Sequence, residues 1–321
     1  MKWLWAFLVS TLLLSTLALA SEHGRMVREA TIYISPDAQS AKLAKIERGR
    51  EVVVLDTTPQ WVHIEGFLTE PRQQDSDDDT DDPERQRIVS GWIEDKGIVR
   101  QSTPDGDKIL FGEALDSEDQ ASQRNGRKGS AQDALHLYYG VYDLFPQSPL
   151  AGEGLFRAAD IRWQLDRADV MSLPSAKEQD PHLRNQMDED MMRQVIKKFP
   201  GTKWADLAAF RMIDNKLCGD WQGQAKCPIK EAEIYEKYAS EHPQSPRAAE
   251  ALYDAAWRQA ALIGIYKGDD DTKKSEEAKA KATDLAKKVA SQYPQSDWAA
   301  RAKTLLFLVE HDVATWGSDP G

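Results

Sequence analysis

Cys218 and Cys227 are the only cysteines of the 321-residue chain, and their spacing is the first feature that could do chemistry. The segment between them contains two glycines, as a loop that folds back on itself would. Zinc is one alternative, but zinc needs four ligands and no histidine or further cysteine lies nearby in the sequence. A catalytic thiol would need a placed histidine. We therefore predict a disulfide, which would stabilise the fold by roughly 2–3 kcal/mol for a loop of this size.

An acidic loop at residues 69–86 is the second candidate for chemistry. Seven carboxylates lie within residues 75–84, and three of them alternate as the first ligands of an EF-hand do. The glycine that a calcium loop requires is replaced by Thr80, and the closing glutamate is replaced by Gln86. A like-charged run with proline and no apolar residue is typical of a solvated loop, so calcium is the less favoured alternative.

Three aromatic side chains in the first hundred residues could line a ligand groove. Strand alternation puts Val62 and Ile64 on one face and Trp61 on the other. If the valine face is the core, then Tyr33, Trp61 and Trp92 line a surface groove of the kind that grips peptides. The alternative is that at least one tryptophan packs beneath the acidic loop.

No catalytic or cofactor motif is found in the sequence. The chain has no Gly-x-Ser-x-Gly elbow, no His-Glu-x-x-His, no Walker loop and no Gly-x-Gly-x-x-Gly. Its six histidines are scattered, and no pair stands at ligand spacing. We predict no catalytic residue, no metal ligand and no cofactor, and we expect that the chain is not an enzyme. A hydrolase that uses Cys218 is the weaker alternative.

The beginning of the chain and its net charge limit the compartment and the partners. Lys2 precedes an apolar run that ends in Ala-Leu-Ala, which predicts a signal peptide at residues 1–20 cleaved before Ser21. An uncleaved anchor is the alternative, and a lipoprotein would need cysteine in place of Ser21. We therefore predict a periplasmic or secreted protein with no stable membrane span after cleavage. A net charge of −12 makes nucleic acid a poor partner.

Short alternating runs in residues 25–100 predict a small all-β domain, because several strands with turns between them fit a small barrel. The predicted strands are residues 30–36, 51–56, 61–65, 87–94 and 97–99. The runs at 48–56, 61–64 and 91–93 resemble the bacterial SH3 (SH3b) family, except that the acidic loop replaces a tight turn. The resemblance implies an SH3-like barrel of the type that often serves as a targeting module in envelope and peptidoglycan-processing proteins.

A helical connector is predicted for residues 101–130. Its helix spans residues 108–123 and ends in a polar, glycine-bearing break. The apolar residues expected to make its contacts are Ile109, Leu110, Leu115 and Ala121.

A motif that occurs four times organises residues 131–312. Each copy has a bulky residue, a proline, any residue, Ser or Thr, and then alanine three positions later; the prolines are 54, 43 and 51 residues apart. Proline ends one helix, the hydroxyl caps the next, and alanine lets two helices cross closely. The helices expected before the prolines are residues 131–144, 188–198, 230–241 and 279–292. The pattern predicts stacked helical hairpins.

The helix–(Phe/Tyr)-Pro-x-Ser–helix pattern resembles the tetratricopeptide (TPR) subfamily of bacterial envelope proteins, which includes the outer-membrane-assembly lipoprotein and the cell-division coordinator. The resemblance implies a TPR-like solenoid that holds a protein or peptide partner. Most aromatic residues in this half are expected in the core. Tyr139, Trp163 and Trp257 are the candidates for partner binding, and residues 313–321 are expected to form a tail.

The predicted fold is therefore multidomain, with a small all-β SH3-like barrel followed by an all-α solenoid of TPR-like helical hairpins. We predict a non-enzymatic scaffold or adaptor of the cell envelope that binds protein partners through its repeats. The alternative is a peptidoglycan-binding accessory protein of a cell-wall enzyme system.

Overall fold

The computed structural model describes residues 22–69 and 86–317 and divides the chain into two compact units, Met1–Gln101 and Ser102–Gly321. The predicted signal peptide and most of the acidic loop lie outside the described residues. Among the helices of the described part, none is long and apolar enough to cross a membrane.

The first unit contains an antiparallel sheet of seven described strands. They are β1 (Glu22–Met26), β2 (Ala30–Tyr33), β3 (Lys42–Ile46), β4 (Glu51–Thr57), β5 (Trp61–Thr69), β6 (Gln86–Glu94) and β7 (Ile98–Arg100). Their order is β3-β2-β6-β5-β4-β1-β7. The predicted closure into a barrel is not confirmed, since no pairing joins β3 to β7 among the described residues. Lysines in β3 and the shortness of β7 protect such edges from pairing with other chains.

The valine face of this sheet forms its core, which is the condition for the predicted aromatic groove. Val62, Ile64 and Ile93 are fully buried, in a cluster with residues from β1 to β6. Gly91 lies on the same face, where an added Cβ would approach the Ile32 side chain and the Tyr33 carbonyl to 2.6 Å. Glycine is therefore needed for β2 to pack this closely against β6.

The second unit has nine described α-helices. They are α1 (Gly106–Ser122), α2 (Ser130–Leu144), α3 (Ala151–Ser172), α4 (Asp190–Lys198), α5 (Lys203–Arg211), α6 (Lys226–Glu241), α7 (Ala248–Gly268), α8 (Thr272–Gln292) and α9 (Asp297–Glu310). The pairs α2–α3, α4–α5, α6–α7 and α8–α9 each turn at one copy of the motif. The predicted helical repeat is confirmed.

The motif hydroxyls accept backbone hydrogen bonds at the turn before the second helix in two ways. The Thr202 and Ser296 hydroxyls accept hydrogen bonds from the backbone N–H three residues on. In the copies with proline after the serine, Ser148 and Ser245 accept from the N–H two residues on. The first geometry satisfies a free N–H of the first helical turn, so capping is confirmed at Thr202 and Ser296. The second binds the N–H of the N-cap residue itself and stabilises the turn ahead of the helix. The four motif alanines are buried, at Ala151, Ala205, Ala248 and Ala299.

Successive hairpins contact each other through the same two motif positions. The residue ten positions after one proline packs against the residue four positions after the next proline. These contacts are the rings of Phe156 and Trp204 (5.6 Å), the Phe210 ring and the Arg247 guanidinium (5.7 Å), and the rings of Tyr253 and Trp298 (5.3 Å). We call this set the inter-repeat ladder. In the fourth copy the first position is the exposed Thr304.

Helix α1, which the sequence assigned to a connector, packs against α2. The Phe111 ring lies 5.3 Å from the Tyr138 ring, and the Tyr138 hydroxyl donates to Glu118. Of the four expected contact residues only Leu110 is buried. The other three are wrong because the buried stripe of α1 follows Leu110, Ala114 and Ser117 at helical spacing.

Candidate functional site

The outward face of the sheet brings together the three aromatic residues that the sequence selected, and it adds a fourth. We call Tyr33, Trp61, His63 and Trp92 the aromatic face. In the sheet register Trp92 on β6 lies opposite both His63 on β5 and Tyr33 on β2. Alternation places all four side chains opposite the buried valine face.

The rings of the aromatic face are held by contacts with one another. The Tyr33 ring meets the Trp61 ring edge-on at 5.5 Å, and the His63 imidazole stacks on the Trp92 indole at 4.9 Å with an angle of 11° between the planes. The Ser90 hydroxyl lies 3.2 Å from His63 Nε2. Such rings offer apolar faces for stacking and polar atoms at their edges for hydrogen bonds.

His63 was missed at the sequence level, although it stands two residues after Trp61 on the same strand and shares its face. On the same face of β5 and β6, beyond the polar pair Glu65 and Ser90, the opposed pair Phe67 and Ile88 are 51% and 56% exposed. Carboxylates border the rings: Glu94 is opposite Trp61 and Asp56 is opposite His63. The site is therefore an aromatic strip with polar and acidic margins.

The three partner-binding candidates of the helical unit differ in exposure. Tyr139 is half-buried, and its ring lies 5.9 Å from that of Tyr142. Trp257 is half-buried and donates its indole N–H to the Gly317 carbonyl at 3.1 Å. Trp163 is only 1% exposed and donates to Asp214 inside the core. The prediction for Trp163 is corrected, because a buried ring cannot meet a partner.

Cys218 and Cys227 form the predicted disulfide. Beneath the loop that it closes lies a buried carboxylate that the sequence did not reveal. Glu231 on α6 accepts hydrogen bonds from the Cys218 N–H at 2.8 Å and the Trp221 indole at 3.2 Å, and it pairs with Arg258 Nε of α7 at 2.9 Å. The disulfide and the hydrogen bonds to Glu231 thus hold the loop on α6, and the ion pair between Glu231 and Arg258 links α6 to α7.

Metal binding has no candidate among the residues that the structure describes, since no group of three or more His, Cys, Asp or Glu side chains could hold an ion there. The carboxylates of residues 75–84 lie outside that part of the chain.

No protein-family model matches the chain, and no curated protein matches it. Two solved structures are similar over 65% of this chain. One, the "DHF58 filament", has 13% identity, a TM-score of 0.24 and 94% of its own chain covered. The other, the de novo designed helical repeat protein DHR64, has 15% identity, a TM-score of 0.23 and 95% of its chain covered. Both similarities are too low to bear on function.

Proposed function

We propose that this chain is a non-enzymatic binding protein of the cell envelope with two recognition parts. The sheet unit is an SH3-like module that targets or anchors the protein. The helical unit is a TPR-like array that holds a protein partner. The aromatic face is the single observation that carries the proposal.

The aromatic face supports a binding role because of where its rings lie. The core of this unit is already formed by the opposite face, so these rings are not needed to fill it. Outward positions of an antiparallel sheet are normally polar. The half-buried rings instead form an apolar surface, and such surfaces mark interaction sites. The exposed Phe67–Ile88 pair lies further along the same two strands, beyond Glu65 and Ser90.

The helical unit supports the adaptor role through its repetition. Stacked hairpins build a long surface on which an extended segment can lie. Tyr139 and Trp257 pack partly against the helical core and are only half-buried, so they are the side chains that we propose contact a partner. The disulfide supports an envelope location, since disulfides persist in oxidising compartments. The proposed signal peptide at residues 1–20 would take the chain there.

Peptidoglycan binding is the second candidate function, and the margin of the aromatic face favours it. The Ser90 hydroxyl lies at the His63 edge, and Glu94 lies opposite Trp61. Aromatic planes bordered by hydroxyl and carboxylate groups suit a ligand that has both sugar faces and polar substituents.

Sedimentation with purified sacculi separates the two functions. The mature chain, its Trp92→Ala variant and the control Ile34→Ala, whose side chain is 61% exposed outside the aromatic face, are mixed with sacculi and centrifuged. If the aromatic face binds peptidoglycan, Trp92→Ala lowers the bound fraction at least tenfold and Ile34→Ala leaves it unchanged. No sedimentation of the mature chain removes the peptidoglycan function and leaves the protein-adaptor function.

A further inference from the structure

The chain returns to the helical array after α9. We call residues 312–317 the tail segment. At its start, the Asp312 carboxylate lies 3.0 Å from Lys279 Nζ on α8 and 3.3 Å from Lys267 Nζ on α7. At its end, the Gly317 carbonyl accepts the indole N–H of Trp257 on α7 at 3.1 Å. The two ends of the segment are therefore fixed to α7.

The distances allow the tail segment to lie extended along α7. Lys267 and Trp257 are ten residues apart on the helix, which is about 15 Å at 1.5 Å per residue. The five residue steps from Asp312 to Gly317 span about 16–17 Å when extended. The segment thus runs antiparallel to α7, and Thr315 in its middle is only 6% exposed.

The surface of α7 and α8 that the tail segment covers, called the groove below, has three features that suit an extended peptide. Two lysines at one end suit a carboxylate, and they hold the pKa of Asp312 below its ordinary value through hydrogen bonds and charge. An indole N–H at the other end suits a backbone carbonyl. A buried position between them takes one side chain. An extended peptide with an acidic residue followed three positions later by a buried side chain matches all three features.

The tail segment fills this groove imperfectly. Within the described residues, the Thr315 hydroxyl oxygen is buried and has no hydrogen-bond partner. A buried polar atom without a partner lowers affinity relative to an apolar side chain of the same shape. Trp316, the next residue, is 74% exposed and adds little contact. A peptide with valine in place of Thr315 would therefore fit better.

We propose that this groove on α7 and α8 is the partner site of the array and that the tail segment occupies it in cis as an autoinhibitory contact. The partner is a protein with an extended segment in which an acidic residue precedes a valine-like residue by three positions. Binding requires displacement of the tail segment. This inference rests on the proposed adaptor function and identifies the chemistry of its ligand.

The degree to which the tail segment weakens binding of a free peptide follows from its covalent attachment to the same chain. A segment tied to its own site has an effective concentration in the millimolar range. The apparent affinity for a competing peptide falls by the fraction of molecules whose site is open. Removal of the tail segment should therefore tighten binding of a free peptide at least about tenfold.

Fluorescence anisotropy with a labelled peptide tests the proposal. The probe has the sequence of residues 311–317 with valine at the position of Thr315. It is titrated with the mature chain, with a chain ended after Glu310, and with the full-length Asp312→Lys variant, which keeps every tail residue but opposes the two lysines. We expect both altered chains to bind the probe at least tenfold more tightly than the mature chain. Equal or absent binding by all three overturns the proposal.

Charge variants locate the binding in the groove. In the chain ended after Glu310, which has no tail segment, Lys267→Glu with Lys279→Glu should abolish binding of the probe. The matched control Lys273→Glu with Lys288→Glu changes two exposed lysines of α8 that pair within their own helix and should change nothing. Equal loss in both double variants contradicts the site.

The oligomeric state gives an independent outcome. A concentration-dependent dimer of the mature chain that is lost in the chain ended after Glu310 would show the tail segment bound in trans and would overturn the cis contact. Failure of these experiments would leave the adaptor function intact as long as the sheet unit still engages an envelope component through the aromatic face.

Discussion

Glu231 connects three parts of the helical unit through a single carboxylate. Its carboxylate is fully buried and is held by the disulfide loop, an indole N–H and Arg258, which is itself only 3% exposed. A buried ion pair of this kind contributes little compared with an apolar pair, but removal of one partner leaves an uncompensated charge. The loop geometry therefore depends on the pair being complete.

We expect Glu231→Ala to lower the free energy of unfolding by about 3–5 kcal/mol, because the Cys218 N–H, the Trp221 indole N–H and Arg258 Nε would all lose their buried acceptor, while Asp254 still faces Arg258. Urea denaturation followed by circular dichroism measures the change. The matched control is Glu233→Ala, two residues away on the same helix and exposed, which should change the value by less than about 0.5 kcal/mol. Equal losses for the two variants would show that the buried pair is not important.

Residues of the candidate site could be predicted only where the alternation of side chains along a single strand decides which face they lie on. Alternation along β5 was enough to place Trp61 opposite Val62, and it could also have placed His63. The Glu231–Arg258 pair could not be predicted, because its partners are 27 residues apart and meet only when α6 packs on α7. The burial of Trp163 was missed for the same reason.

At the scale of helices, the inter-repeat ladder is the main recurring contact between successive hairpins. One contact type recurs between successive hairpins because two motif positions face each other whenever the hairpins stack. The stacking therefore follows directly from the repeated sequence. The exposed Thr304 marks the position from which a fourth contact, to a fifth hairpin, would be made.

Tyr253→Ala should lower the free energy of unfolding by about 3–5 kcal/mol, since it removes a buried ring from the contact with Trp298. Thr304→Ala at the equivalent position of the last copy should cost less than about 0.5 kcal/mol, because that side chain is exposed. Thermal and urea unfolding of both variants check the difference. If the ladder contacts do not stabilise the fold, the two variants will show similar, small changes in the free energy of unfolding.

The helical elements were predictable and two strands were not, for physical reasons. Proline, the capping hydroxyl and the apolar period are local signals, and they fixed the hairpins to within a few residues at most ends. β1 contains a glycine and two charged residues, and β3 contains two lysines in five residues, so neither resembles a buried strand. Closure of the sheet into a barrel is not confirmed, and local sequence signals could not decide it because closure depends on pairing between strands far apart in sequence.

At the scale of the whole molecule, the chain combines one flat aromatic surface with one repeated helical surface. The first unit has an aromatic face that its core does not use. The second has a groove that its own tail segment fills. The proposed adaptor function requires two surfaces of different chemistry on one chain, and these are the two that we propose for it.

The most direct test of the central claim is photo-crosslinking in cells with a benzophenone amino acid at His63 of the full-length protein, followed by mass spectrometry. The control places the same group at Leu55, which is 43% exposed on β4 outside the aromatic face. We predict adducts to a defined envelope component at His63 that disappear with Trp92→Ala and do not form at Leu55. Equal adducts at both positions, or adducts at His63 that persist with Trp92→Ala, would contradict a binding role for the aromatic face.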